Sequence, residues 1–139
     1  MKKCRIHLKM LSGDYLTYSM KASHSGGSSH CRICKSKENI VLSETTEHIL
    51  TSCGAYDEIR ERIFPQYESI LKNSKLRCSL RDFQENNEKL CQFLLDPTSL
   101  NLKWRIPTDD PSLDDIFKLS RDLCYAVHNL RKTLLEKQK

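Results

Sequence analysis

Residues 31–53 read CRICKSKENIVLSETTEHILTSC, and within them Cys31, Cys34, His48 and Cys53 form the pattern C-x2-C-x13-H-x4-C. Structural zinc takes four tetrahedral ligands from thiolate and imidazole, and two cysteines separated by two residues let one tight turn aim two sulfurs at a single ion. The second pair must come from another element. Ser43, Thr45 or Thr46 can cap a short helix that presents His48. Five residues further on, Cys53 lies about 500° around an ideal α-helix and so points away from His48. The helix is therefore expected to end near Ser52, with Gly54 permitting the turn. His30, which abuts Cys31, and His24 are alternative fourth ligands. His48 ranks above them because it sits on a predicted helix beside Cys53, whereas they lie in a connector.

That connector, residues 19–30, reads SMKASHSGGSSH and has too few apolar groups to pack, so it is expected to be a flexible linker. Before it, residues 1–18 form a basic segment in which Ile6, Leu8, Met10 and Leu11 are set among Lys2, Lys3, Arg5, His7 and Lys9. The pattern mixes strand-like alternation with a short basic helix that Gly13 would stop. After the finger, taken as 31–54, residues 55–139 are expected to be helical. Tyr56, Ile59, Ile63, Tyr67 and Ile70 recur at three- and four-residue spacings, which predicts an amphipathic helix bent or broken at Pro65. Leu90, Cys91, Phe93, Leu94 and Leu95 predict a short helix that stops at Asp96-Pro97. Residues 98–111 read as a loop anchored by Trp104 and Ile106. Ser112, with Asp115 three residues later, resembles a capping box and opens the clearest helix, which runs to about residue 135. Arg131, Lys132 and Lys137 near its end would complement the helix dipole. The expected fold is mainly α: a small CCHC zinc finger followed by a small helical bundle.

The 139 residues leave room for one small domain or a metal-stapled piece joined to a helical one, but not for two large cores. With 38% hydrophobic and 29% charged residues, no run approaches the roughly 18 apolar residues that a membrane span needs. The opening segment lacks an unbroken apolar stretch and a cleavage site, so the chain is expected to be intracellular, nuclear and/or cytoplasmic. In that reducing setting seven cysteines, an odd number, point to metal binding and free thiols rather than disulfides. The net charge of +5 mildly favours polyanionic partners. Cys124 and His128 lie four apart on the last helix, but they fall on or beside its apolar stripe and are expected to pack, as is Cys91. A full set of ligands with two or three thiolates is the mark of a closed structural site, and no oxyanion hole or second metal histidine accompanies it, so no catalytic residue and no small-molecule substrate are expected.

The order KMLSGDY, connector, CRIC, ETTEHILTSC, GAYDEIRERIF, KLCQFLLDP and RDLCYAVHNLRKTLL resembles the carboxy-terminal region of animal non-LTR (LINE-type) retrotransposon reverse transcriptases along nearly the whole chain. In that family a zinc-binding segment follows the polymerase thumb. The resemblance implies Zn2+ on Cys31, Cys34, His48 and Cys53. It matches Leu11, Gly13 and Tyr15 to a short motif upstream of the finger, and Tyr56 and Arg60 to an aromatic and an arginine just after it. It also implies a role in holding RNA or target DNA, or in docking on the polymerase body. The chain carries no Y-x-D-D polymerase signature, so it is expected to be a non-catalytic terminal fragment, remnant or domesticated module.

Lys2, Lys3, Arg5, His7 and Lys9, with Lys21, Arg32 and Lys35, are candidates for phosphate contacts. Tyr15, Tyr18 and Tyr56 are candidate stacking groups for unpaired bases. The competing expectation is that the charges are a solvated face, the tyrosines are core, and the module is structural or binds protein.

Overall fold

The computed structural model describes residues 2–17, 28–34, 42–73, 80–83, 86–98 and 110–137. Within them four α-helices frame the molecule: α1 Lys2–Ser12, α2 Asp57–Lys72, α3 Asn87–Leu95 and α4 Ser112–Glu136. The candidate stacking and basic residues Tyr18, Lys21 and Lys35, the alternative ligand His24, Cys78 and the loop anchors Trp104 and Ile106 lie outside the described residues. No strand occurs among the described residues, only an isolated antiparallel bridge between His30 and Ser43.

The basic amino-terminal segment is helical, not alternating. It ends at Gly13, whose φ of 81° is a left-handed conformation. Asp14 N–H donates to the Lys9 carbonyl at 2.8 Å and Gly13 N–H to the Met10 carbonyl at 3.3 Å, the paired bonds of a Schellman stop. His7 and Met10 are buried on the inward face of α1, against α4 and α3. The His7 Nε2–H donates to the Leu95 carbonyl at 2.8 Å, which satisfies one of the carbonyls that the end of α3 leaves open.

α2, expected to be bent or broken at Pro65, runs through it without a break. A proline deprives the carbonyl four residues earlier of its donor. Here that carbonyl belongs to Glu61; both residues are exposed, so water can serve the orphaned oxygen. The opposite face of α2 buries Ile59, Ile63, Tyr67 and Leu71, and the Tyr67 hydroxyl meets Ser120 Oγ of α4 at 2.9 Å. Asn86 caps α3 by accepting the Lys89 N–H at 3.1 Å. Phe93 of α3 stacks on Phe83 at 4.8 Å between ring centroids.

α4 begins where the sequence indicates, but its cap is the buried Asp110 rather than Ser112. Asp110 Oδ1 accepts the Ser112 N–H at 2.9 Å, and Pro111 takes the first helical turn, where its missing N–H is harmless. Ile116, Leu119, Leu123, Cys124 and Val127 then make one buried stripe that receives α1 on one side and α2 on the other. Cys91 and Cys124 are both buried, and burial pushes each thiol up to about 12, as expected of packed cysteines. Ile33, Ile49, Leu50 and Tyr56 from the cysteine-rich stretch belong to the same core cluster as the helices, so the finger is built into the bundle.

Candidate metal centre

Two short elements bring the four ligands together. The chain enters through the His30–Ser43 bridge, in which Cys31 N–H donates to the Leu42 carbonyl at 2.7 Å and Glu44 N–H to the Ser29 carbonyl at 2.8 Å. A helical turn at 32–34 follows and turns Cys34 back beside Cys31. The second element starts at Thr45, whose Oγ1 accepts the His48 N–H at 3.1 Å, the cap that the sequence offered among three candidates.

Residues His48–Ser52 do not continue as an α-helix but form a π turn, closed by Cys53 N–H donating to the His48 carbonyl at 2.7 Å. In an ideal α-helix Cys53 would face away from His48, whereas an i→i+5 turn carries residue i+5 back over residue i. The wider turn thus resolves the awkward x4 spacing. Thr51 helps to open it: its hydroxyl donates to the Glu47 carbonyl at 2.6 Å, a back-bond of the kind that bends helices. Gly54 takes no left-handed conformation and instead starts the 3-10 turn Gly54–Tyr56. The break is made at Cys53 itself, at φ −64° and ψ 121°.

A π turn that ends abruptly leaves carbonyls without donors, and Arg60 of α2 supplies them. Its guanidinium, 7% exposed, donates to the carbonyls of Ile49 at 3.3 Å, Leu50 at 3.4 Å and Cys53, while Asp57 Oδ1 accepts a further N–H at 2.6 Å. This gives physical content to the arginine that the family resemblance marked. Arg60→Ala should destabilise the metal-loaded protein by about 1–3 kcal/mol in urea unfolding, since it strands buried carbonyls. Arg60→Lys should recover only part of that, because a point ammonium cannot fork across three acceptors. Wild-type stability in Arg60→Ala would mean that the clamp is dispensable.

Cys31, Cys34, His48 and Cys53 are all buried, and their ligand atoms lie within 4.8 Å of one another. Cys34 Sγ is 3.4 Å from His48 Nε2 and 3.6 Å from Cys53 Sγ, too far for a disulfide and close enough to share an ion. The thiols cannot all ionise unaided. Hydrogen bonding from Cys53 holds the Cys31 thiol well below its usual range, and the same contact pushes Cys53 up. A cation at the centre removes that conflict. Four buried Cys and His donors converging on one point could hold a metal ion, and among the described residues no second such group occurs. His30, the alternative ligand, is not among the four.

Two further groups brace the centre. Glu44, fully buried beside the finger, receives a bidentate pair from Arg131 of α4, Nε to Oε2 at 3.1 Å and Nη2 to Oε1 at 2.7 Å. Arg131 is therefore a buried tie between finger and bundle rather than a surface complement to the helix dipole. Its guanidinium also lies 5.6 Å over the Tyr15 ring. Tyr15 is 5% exposed, with its hydroxyl 2.9 Å from His128 Nδ1, and Tyr56 is fully buried. Neither ring presents a face to solvent, so the stacking role expected of both gives way to core packing. Tyr56 Oη has no hydrogen-bond partner among the described residues, and burial, together with nearby Cys53, raises its pKa and keeps the phenol neutral.

Of the basic candidates, Lys2, Lys3, Arg5 and Lys9 are exposed along α1, and Arg32 is exposed on the cysteine turn. Lys2, Arg5 and Lys9 fall within roughly 60° of one another around the helix, a single stripe. Lys3 turns toward α4 and pairs with Asp122 at 2.8 Å. No helix among the described residues is long and apolar enough to cross a membrane. No protein-family model matches the chain, nor does any curated protein or solved structure.

Proposed function

We propose that the chain is a zinc-stapled nucleic-acid-binding module that acts by holding RNA or DNA and carries no chemistry of its own. The choice of zinc rests on the donor set and its spacing. Three thiolates and an imidazole suit Zn2+, and a tetrahedral zinc with bonds of about 2.3 Å to sulfur and 2.0–2.1 Å to nitrogen has S···S edges of about 3.8 Å and S···N edges of about 3.6 Å. The 3.6 Å and 3.4 Å separations at Cys34 fall near those edges. Ligands of this kind persist in a reducing intracellular compartment, nuclear or cytoplasmic.

The observation that carries the binding reading is the stripe of Lys2, Arg5 and Lys9, exposed on a helix that is fixed to the metal-bearing core through His7, Met10 and Tyr15. A rigid row of cations gathers phosphates and releases counterions. The likeness of the ligand pattern, of Gly13 and of Arg60 to the carboxy-terminal region of LINE-type reverse transcriptases agrees with that use.

Titration of the zinc-loaded chain with labelled RNA and DNA at rising salt tests the proposal. Affinity should fall by about one to two orders of magnitude between 50 and 200 mM salt, as for three or four phosphate contacts. Arg5→Glu with Lys9→Glu should weaken all sequences alike and flatten the salt slope. No detectable binding at low salt would refute it. A second reading, docking on a protein such as a polymerase body, is favoured by one observation: Leu8 is 60% exposed and Leu11 40%, with Leu8 about 60° around α1 from Arg5 of the basic stripe. In that case binding to the partner would survive the double charge reversal and be lost with Leu8→Glu.

A further inference from the structure

With Tyr15 and Tyr56 buried, a module that held single strands would need another aromatic, and the cleft between α2 and α4 contains one. It has a volume of about 380 Å³ and a floor of Ile63, Leu119 and Ala126. Tyr125, part exposed, stands at its side, and the rim carries Arg62 and Gln66 from α2, Asn129 and Asp122 from α4, and Lys3 from α1. Lys3 Nζ lies 5.9 Å over the Tyr125 ring and bonds Asp122 at 2.8 Å.

We propose that this cleft takes one unpaired nucleotide of a single-stranded nucleic acid, its base against Tyr125 and its phosphate between Arg62 and Lys3. The assignment rests on the nucleic-acid-binding reading above and deepens it. Each part of the cleft answers to one part of a nucleotide. An aromatic ring over an apolar floor suits a base face, and the side-chain amides of Gln66 and Asn129 can donate to and accept from a base edge. The two cations outweigh the single carboxylate of Asp122, leaving one net positive charge for a phosphate. The volume is in the small-ligand range, suited to one nucleotide rather than a duplex. The bond from Lys3 to Asp122 is half exposed and hence weak, so Lys3 can exchange it for a phosphate and leave the ring face to the base.

The test compares zinc-loaded wild type, Tyr125→Leu, Tyr125→Phe and Asn129→Ala by fluorescence anisotropy with a single-stranded decamer of RNA, the same decamer of DNA, and a duplex of equal length. Zinc content and thermal melting serve as fold controls. Tyr125→Leu should weaken the single strands roughly tenfold or more, the scale of one lost base stack, and leave the duplex unchanged. Tyr125→Phe should restore binding. Asn129→Ala, at an exposed position, should weaken single strands severalfold, and it tests the cleft even where Tyr125→Leu is unstable. Wild-type single-strand affinity in the leucine and alanine variants would overturn the cleft and leave the basic stripe standing. Competition by polyglutamate as effective as that by the decamer would show that the site reads only charge, and would also overturn it. A wild type that binds none of the three probes would instead overturn the parent reading.

Discussion

Replacing His48 with Ala, or Cys53 with Ser, should abolish stoichiometric zinc and collapse the amino-terminal half of the protein. The reason is one of magnitudes. Zinc contributes about 10–16 kcal/mol to the folding of finger-like peptides at neutral pH, whereas a whole domain is stable by only about 5–15 kcal/mol. The finger has little to fall back on: residues 28–34 and 42–53 contribute mainly Ile33, Ile49 and Leu50 as apolar side chains to the core. Because Ile49 and Leu50 are fully buried, and the π turn meets α3 and α4, metal loss should reach beyond the finger and loosen the bundle. Metal quantification by mass spectrometry, with near- and far-ultraviolet circular dichroism, reads both effects. A chelator should do the same to the wild type. Acid should too, since protons compete with zinc for the thiolates; that part of the stability is present at neutral pH and lost as pH falls. A folded wild type without zinc, or a full complement of zinc in both variants, would sink the metal centre.

The Cys/His cluster that could hold a metal was legible because its pattern is local and chemically specific. C-x2-C and H-x4-C each dictate a turn, and only the manner of closing the second had to be learned from the structure. An offset of about 500° marks Cys53 correctly as the difficult ligand. The expected remedy, a helix end near Ser52, is what the chain adopts, and it also widens that last turn to i→i+5. No residue preference announces a π turn, although Thr51, placed to bond back to Glu47, is a hint. The three later helices, α2, α3 and α4, were legible from apolar spacing, whereas α1 read as a mixture of alternation and helix. Pro65 was expected to bend or break the helix, yet α2 continues through it, and the exposure of Glu61, whose carbonyl the proline leaves without a donor, is a tertiary fact. Ser112 misled for a related reason: Asp110, two residues upstream, with Pro111 between them, fits the capping geometry better. The tyrosines were ambiguous in principle, since a tyrosine has an apolar ring and a polar hydroxyl and reads equally as a stacking group or as an amphipathic core residue. The Glu44–Arg131 pair was out of reach: 87 positions separate two charged residues, and nothing local to either announces the other.

That pair carries the second large prediction. Glu44→Ala, and separately Arg131→Ala, should each destabilise the protein by about 3–5 kcal/mol, because each leaves an uncompensated charge in a buried site. Glu44 is fully buried and the Arg131 side chain is 10% exposed, so solvent screening offers little relief. Burial disfavours the arginine charge, but the carboxylate hydrogen bonds overcome it and hold the guanidinium firmly ionised. Losing Glu44 removes that support, yet it cannot be answered by deprotonation of Arg131, because an arginine guanidinium stays charged at neutral pH even without a partner. The stranded cation would be left with the Tyr15 ring, 5.6 Å away, as one remaining partner. For a chain of this size such a loss corresponds to a fall in melting temperature of roughly 10 °C or more. The double variant Glu44→Leu with Arg131→Met should regain much of the difference, since an apolar pair of similar volume avoids both desolvation penalties. Recovery in the double variant would show that the tie between finger and α4 is a matter of charge compensation, so that zinc affinity should return along with stability. If each single variant melts within a degree or two of wild type with zinc retained, the pair is a surface-like contact and the finger is held to the bundle by Ile49, Leu50 and Arg60 alone.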